Sequence, residues 1–180
     1  MTPVRDALLG VLLVCCAVWP VEAQRAPSAG TPGLFLGVGA FDYSLREDGR
    51  SAMFVARFED ELGDRVIGEA GFVYARVRQP GSDDATNYLV PELHVQSQLM
   101  TGRFAPYLGA GGGVALDFRP DSLHMNATAS AAIGFRVWLS DVLALRSEFR
   151  VRGVGGSGDG GGTARELSIG ALLRLVPRQD

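Results

Sequence analysis

The residues able to do chemistry in this chain are mainly arginines and glutamates spaced two apart. Arg146, Glu148, Arg150 and Arg152 follow that spacing, as do Arg57 and Glu59, and Glu92, His94 and Gln96. Carboxylates beside a histidine are the raw material of acid–base catalysis or of a metal site. His94 and His124 are the two histidines, and Glu92 lies near the first. The same residues can instead fill a buried polar lining, where charges are tolerated only if paired and hydrogen-bonded. That second use is expected here, with no catalytic, cofactor or metal role. Gly155-Gly-Ser-Gly-Asp-Gly160 mimics a phosphate loop, but no helix and no Lys follow it. Gly109 to Gly113 mimics a dinucleotide fingerprint without a βαβ setting. Asp83, Asp84, Asp117 and Asp121 read as solvated loop charge.

A spacing of two puts side chains on one face of a β-strand. From Leu123 to Leu139 one parity is wholly apolar, through Met125, Ala127, Ala129, Ala131, Ile133, Phe135 and Val137. The other carries Ser122, His124, Asn126, Thr128, Ser130, Ala132, Gly134 and Arg136. A long two-faced strand suits a wall between lipid and a polar interior. The pattern recurs in eight segments, near 33–44, 52–60, 65–78, 87–99, 103–118, 122–139, 141–152 and 163–176. In the second, Phe54, Ala56 and Phe58 oppose Arg57 and Glu59. In the fourth, Leu89, Leu93, Val95 and Leu99 oppose Glu92, His94, Gln96 and Gln98. In the seventh, Leu145, Phe149 and Val151 oppose Arg146, Glu148, Arg150 and Arg152. In the eighth, Leu167, Ile169, Ala171 and Leu173 oppose Glu166, Ser168, Gly170 and Arg174. The fifth puts Gly109, Gly111 and Gly113 inward, making room for neighbours.

The first and third strands are less clean. Glu69 and Gly71 face in with Val73 and Val77, while Arg76 falls on the lipid side and belongs near the rim. A turn centred on Gly63 would set Arg57 opposite Glu69, giving a cross-strand ion pair. A tight turn at 100–102 would place Gly109 and Gly111 near His94 and Glu92. Eight strands enclose only side chains. The expected filling is Arg57, Glu59, Glu69, Glu92, His94, Gln96, Arg136, Arg146, Glu148, Arg150, Glu166 and Arg174, closed to ions.

The N-terminus explains the destination. Ala7 to Val18 is an apolar run too short for a membrane helix, ended by Trp19-Pro20 and followed by Val21-Glu22-Ala23. This reads as a cleaved signal peptide, 1–23. A leader at 24–32 and a tail at 177–180 flank the barrel domain, 33–176. Both cysteines, Cys15 and Cys16, lie in the signal, so residues 24–180 offer neither a disulfide nor a thiolate ligand. Those residues hold 16 basic and 18 acidic groups, which favours no nucleic-acid partner. Connections near 60–64, 100–102 and 139–141 are tight. Those at 45–51, 79–86 and 153–162 are longer and polar, the pattern of turns inside and loops outside a membrane.

Phe104-Ala-Pro-Tyr-Leu-Gly-Ala-Gly-Gly-Gly-Val114, Ile133-Gly-Phe-Arg-Val-Trp-Leu-Ser-Asp-Val-Leu-Ala-Leu-Arg-Ser-Glu-Phe-Arg150 and Leu34-Phe-Leu-Gly-Val-Gly-Ala-Phe-Asp-Tyr43 resemble strands of the OmpA/OmpX-like outer-membrane barrels. The resemblance spans about residues 33–176. It implies an all-β, eight-stranded antiparallel up-and-down transmembrane barrel in the outer membrane of a diderm bacterium. It does not imply one activity. Unlike that family's pattern, the chain ends without a terminal aromatic, as Leu173-Arg-Leu-Val-Pro-Arg-Gln-Asp180. The reading is a monomeric, non-enzymatic barrel contacting outer-membrane lipid, with loops 45–51, 79–86 and 153–162 free to meet a surface ligand. One alternative is a lipid-modifying barrel enzyme. His124-Met-Asn126 is faintly similar to the His-bearing strand of lipid A deacylases, with Asn126 where a serine would stand. The other alternative is a secreted lipocalin-like binder of a small apolar ligand, which needs the opposite facing.

Overall fold

The computed structural model describes residues 31–43, 49–78, 85–119, 122–155 and 162–175. The signal peptide, residues 24–30 of the leader, residues 176–180 and much of the four longer connections lie outside the described residues. Eight strands follow one another: β1 (Gly33–Tyr43), β2 (Gly49–Gly63), β3 (Val66–Arg78), β4 (Ala85–Gln98), β5 (Phe104–Arg119), β6 (Ser122–Trp138), β7 (Leu143–Val154) and β8 (Gly162–Arg174). β2 extends beyond the expected 52–60 at both ends, because its ladders with β1 and β3 run on to Gly49 and Gly63. β7 starts two residues late, since Leu139 and Ser140 donate backbone N–H groups to the Leu143 carbonyl and close a turn.

Each strand pairs antiparallel with the next, and β1 pairs with β8, which closes the sheet into a barrel. The ladder can be followed around the wall. Gly33 lies opposite Glu59, then Glu69, His94, Gly111, Ser130, Arg152 and Ala164, and the path returns to β1 at Tyr43. The circuit is therefore displaced by ten residues, from position 33 to position 43. With a rise of about 3.3 Å and strands about 4.8 Å apart, this shear tilts the strands about 41° and gives a backbone radius of about 8 Å. Such a cylinder has room for side chains and little else.

Two expected registers are wrong by two residues. Glu59, not Arg57, stands opposite Glu69, and Arg57 stands opposite Gly71. The β2–β3 ladder shifts between Glu61 and Gly63, so the turn centres one residue later than Gly63. Likewise Gly109, Gly111 and Gly113 face Gln96, His94 and Glu92. A Cβ on Gly111 would collide with the His94 ring and the Leu93 carbonyl, so glycine is what lets that imidazole lie against the wall. The β4–β5 ladder is interrupted at Val90 and Pro91, where the proline supplies no N–H.

Along β7 and most of β8 burial alternates residue by residue. The outside carries Val38, Phe54, Phe58, Leu93, Val95, Leu108, Ile133, Phe149, Leu167 and Ile169, all well exposed. The inside carries Arg57, Arg136, Arg146, Arg150 and Arg152 with Glu59, Glu69, Glu92, Glu148 and Glu166, all buried. This inverts the usual soluble protein, where an exposed apolar patch of this extent would drive association. The lipocalin-like alternative needs an apolar lining and a polar coat, and the facing overturns it.

The strand ends at Tyr43 and Gly49, Arg78 and Ala85, Arg119 and Ser122, and Val154 and Gly162 lie at one end of the barrel, called the loop end. The shorter β2–β3, β4–β5 and β6–β7 turns gather at the other. There the Leu175 N–H donates to the Pro32 carbonyl at 2.9 Å, tying the two ends of the barrel domain together.

Candidate functional site

The candidate site is the lumen. Arg57, Arg136, Arg146, Arg150 and Arg152 are buried within it, and so are Glu59, Glu69, Glu92, Glu148 and Glu166. Five cations thus meet five carboxylates. β7 supplies four of the ten, because its alternation sends Arg146, Glu148, Arg150 and Arg152 inward in succession.

Arg146 is the hub. The ladder sets Glu59 directly opposite Glu69, and two like charges so placed repel. The Arg146 guanidinium reaches both, with Nη1 to Glu59 Oε2 at 3.2 Å and Nη2 to Glu69 Oε2 at 3.2 Å. Its Nη1 also donates to Glu69 Oε1, and its Nη2 to Glu148 Oε2 at 2.6 Å. Its Nε donates to the Tyr107 hydroxyl at 2.8 Å, which donates onward to Glu148 Oε2 at 2.7 Å. Its guanidinium carbon lies 4.6 Å from the Phe35 ring centroid, so an apolar residue also holds the charge in place. Tyr107 needs Gly134 across the ladder, since a Cβ there would overlap the tyrosine ring.

Two further groups join this hub. Arg57 donates to Glu92 Oε1 at 3.2 Å and to Glu148 Oε1 at 3.0 Å. Arg150 donates to Glu148 Oε1 at 3.0 Å and also to Glu92. Arg152 bridges Glu92 Oε2 and Glu166 Oε1, each at 2.7 Å. Toward the turn end, Arg136 donates to Glu59 at 3.0 Å and to the Gln96 amide oxygen, and stacks 4.8 Å over Tyr107. Arg174 sits apart at the turn-end rim, pairing Glu61 at 3.0 Å and lying 4.7 Å over Trp138. The expected Arg57–Glu69 pair is replaced, because the register gives each a different partner. Arg152, Tyr107, Thr128 and Phe35 were not singled out from sequence as members of this network. Arg152 was the legible one, since it shares the parity of Arg146, Glu148 and Arg150.

The two histidines separate. His94 Nε2 and Ser130 Oγ lie 2.7 Å apart inside the wall, both buried. His124 is exposed near the loop end, where its Nε2 lies 3.0 Å from Ser122 Oγ, a contact that sequence reading did not single out. Among the described residues no group of His, Cys, Asp and Glu is placed to hold a metal ion.

No family model matches the chain, and no curated protein matches it. Solved structures do. Neisserial surface protein A superposes with a TM-score of 0.62 at 13% identity, over 82% of this chain and 98% of that one. The outer membrane protein OprG from Pseudomonas aeruginosa gives 0.57 at 15% identity, over 83% and 98%. The chain has the outer-membrane β-barrel fold. The N-terminal β-barrel domain of Pseudomonas aeruginosa OprF matches at 0.50 and 15% identity, over 80% and 99%. What sets this barrel's own properties is therefore its lining rather than its likeness.

The lining itself divides along the barrel axis. The charged residues occupy the middle and the turn end. Toward the loop end the inward positions of β1 to β4 become apolar, with Phe41, Met53, Val55, Val73, Ala75, Val77, Tyr88 and Val90 all buried. Ala115, Val154 and Ala164 extend this cluster across β5, β7 and β8. Below the charges, Trp138, Ala144 and Leu172 form an apolar floor.

Proposed function

We propose that the chain is a monomeric outer-membrane barrel of a diderm bacterium, delivered by a signal peptide at 1–23. It acts as a structural wall and as a scaffold for surface contact. The observation that carries this reading is the balanced, mutually bonded set of five arginines and five glutamates closing the lumen. A pore needs a continuous water path, and these side chains cross it from β2, β3, β4, β6, β7 and β8. Loops positioned by a rigid scaffold are where recognition resides. The loop-end connections at 45–51, 79–86 and 153–162 are then the place for a surface ligand. Catalysis has no part in the reading. The His94–Ser130 pair is walled off, and Glu59, Glu69, Glu92, Glu148 and Glu166 are each held by an arginine. Asp117, expected as solvated loop charge, is instead buried on β5, where it accepts from the Tyr88 hydroxyl at 3.5 Å.

The test is electrical. Purified protein inserted in a planar bilayer should show no sustained single-channel current, and deleting Gly155–Gly161 should not open one, because the block lies within the barrel. Steady currents from the unmodified protein would overturn the closed lumen and make the chain a small pore.

A further inference from the structure

Two arginines face the wrong way. Arg76 on β3 and Arg165 on β8 are exposed on the outer wall, on the same parity as its apolar residues. A charge there is costly at the bilayer midplane and costs almost nothing at the interface. Their positions along the strands fit the interface. On β3 the outward positions from Val66 to Tyr74 carry no charge, and Arg76 comes next toward the loop end. On β8 the outward positions from Leu175 back to Leu167 carry no charge, and Arg165 comes next. Both uncharged windows, 66–74 and 167–175, are the same length. At the tilt given by the shear, such a window is about 22 Å tall, close to the apolar band of roughly 25 Å on outer-membrane barrels. Tyr74, beside Arg76 on this face, donates its hydroxyl to Asn87 Oδ1 at 2.9 Å. It is an aromatic residue with a polar tip at the level where such side chains mark the interface.

Neither arginine makes an ion pair among the described residues. Asp42, half-buried on β1, stands opposite Arg165 in the ladder and is the one carboxylate near either arginine in the register. At the turn end the β3 window is bordered by the exposed Asp64 and Arg65, in the tight turn beyond the strand. Arg76 and Arg165 thus both sit on the wall itself, toward its loop end.

We propose that Arg76 and Arg165 each bind a phosphate of a phosphorylated lipid headgroup in the leaflet facing the loops. The inference rests on the membrane-barrel reading. The two residues lie three strands apart around the wall, so each meets its own lipid and the two sites act independently. A guanidinium suits this task because its planar N–H fork matches phosphate oxygens. Near an anionic surface each such cation is expected to raise the affinity of its own site about fivefold.

The experiment uses isotope-labelled mature chain refolded in dodecyl maltoside micelles, with folding verified by heat-dependent gel migration. Diphosphoryl lipid A, the same lipid after dephosphorylation, and inorganic phosphate are each titrated in. The readout is the side-chain Nε–H resonances of Arg76, Arg165 and the turn-end Arg65. Diphosphoryl lipid should move Arg76 and Arg165 and leave Arg65 in place, with the other two probes moving none. In Arg76→Gln the Arg165 resonance should respond to the diphosphoryl lipid as before, and in Arg165→Gln so should that of Arg76. Equal responses to phosphorylated and dephosphorylated lipid would overturn the proposal, as would loss of either arginine's response when only the other is replaced. An equal response to inorganic phosphate would overturn the lipid source. Cell fractionation that finds the protein outside the membrane would instead overturn the reading beneath it.

Discussion

The two ends of the lumen are filled by opposite means. From its middle to the turn end, arginines and glutamates from six strands share hydrogen bonds through Arg146, Glu148 and Glu92. Toward the loop end, Phe41, Met53, Val55, Val73 and Tyr88 pack as an ordinary apolar core. An apolar core resists change in proportion to volume lost and is forgiving of shape. An ionic core is forgiving of neither charge nor partner, because a deleted carboxylate strands its cations away from water. One cylinder thus contains an all-or-none region beside a graded one.

The largest effect is expected where the most partners converge. Glu148 accepts from Arg57, Arg146, Arg150 and Tyr107. Glu148→Gln keeps the volume and removes the charge. It should cost about 3–5 kcal/mol in a urea titration of the barrel refolded into lipid vesicles. A loss under about 1 kcal/mol would mean that the network is hydrated or rearranges freely, and the contrast with the loop end would collapse.

Next in size is the facing of the wall. Ala131 is exposed on the outside and Ala132 is buried inside. Ala131→Arg should cost about 2–4 kcal/mol in the same titration, since it puts a charge in the lipid band. Ala132→Ser should be nearly silent beside the Arg150 and Gly109 positions. Equal tolerance of both changes would sink the membrane placement on which both lumen regions depend.

A third measurement separates direct contact from shared surroundings. The Arg146→Met and Glu69→Gln cycle should show coupling of about 1–3 kcal/mol, because the two side chains are bonded in the structure. The Arg57→Met and Glu69→Gln cycle should couple more weakly, because Arg57 is bonded to Glu92 and Glu148 instead. Coupling of the same size in both cycles would show that the network responds as one body and that its individual bonds carry no separate weight.

What sequence revealed and what it hid follow the same division. On β7, Arg146, Glu148, Arg150 and Arg152 alternate with Leu145, Phe149 and Val151, so side and strand could be read from parity alone. On β1 and β3 both faces are apolar toward the loop end, as Val73 and Val77 face in while Phe72 and Tyr74 face out. Parity has no contrast there, so alternation placed Val73 and Val77 inside without revealing the apolar cluster they join. Pairing was hidden for another reason. Arg57 and Glu148 are 91 positions apart in sequence, and they meet only because every register and the ten-residue shear act together. A displacement of two, such as that between the expected Arg57–Glu69 register and the observed Glu59–Glu69 one, reassigns the partners that a strand presents across the lumen.

The smallest expected effect lies in the loop-end half and completes the comparison. Met53 is buried on β2 opposite Gly39, and its terminal methyl lies 2.9 Å from where a Cβ on Gly39 would stand, a place closed first by the Leu167 carbonyl oxygen. The thioether thus packs close against a glycine backbone. Met53→Leu keeps the side chain apolar and nearly the same size, though its branch must turn away from Gly39. The loss should stay under about 1.5 kcal/mol in the vesicle titration. Set beside Glu148→Gln, this compares two volume-conserving changes in one lumen. If chemistry alone separates the two ends, the Glu148 change should exceed the Met53 change at least twofold. A Met53→Leu loss as large as that of Glu148→Gln would show that tight shape, rather than stranded charge, limits substitution throughout the barrel.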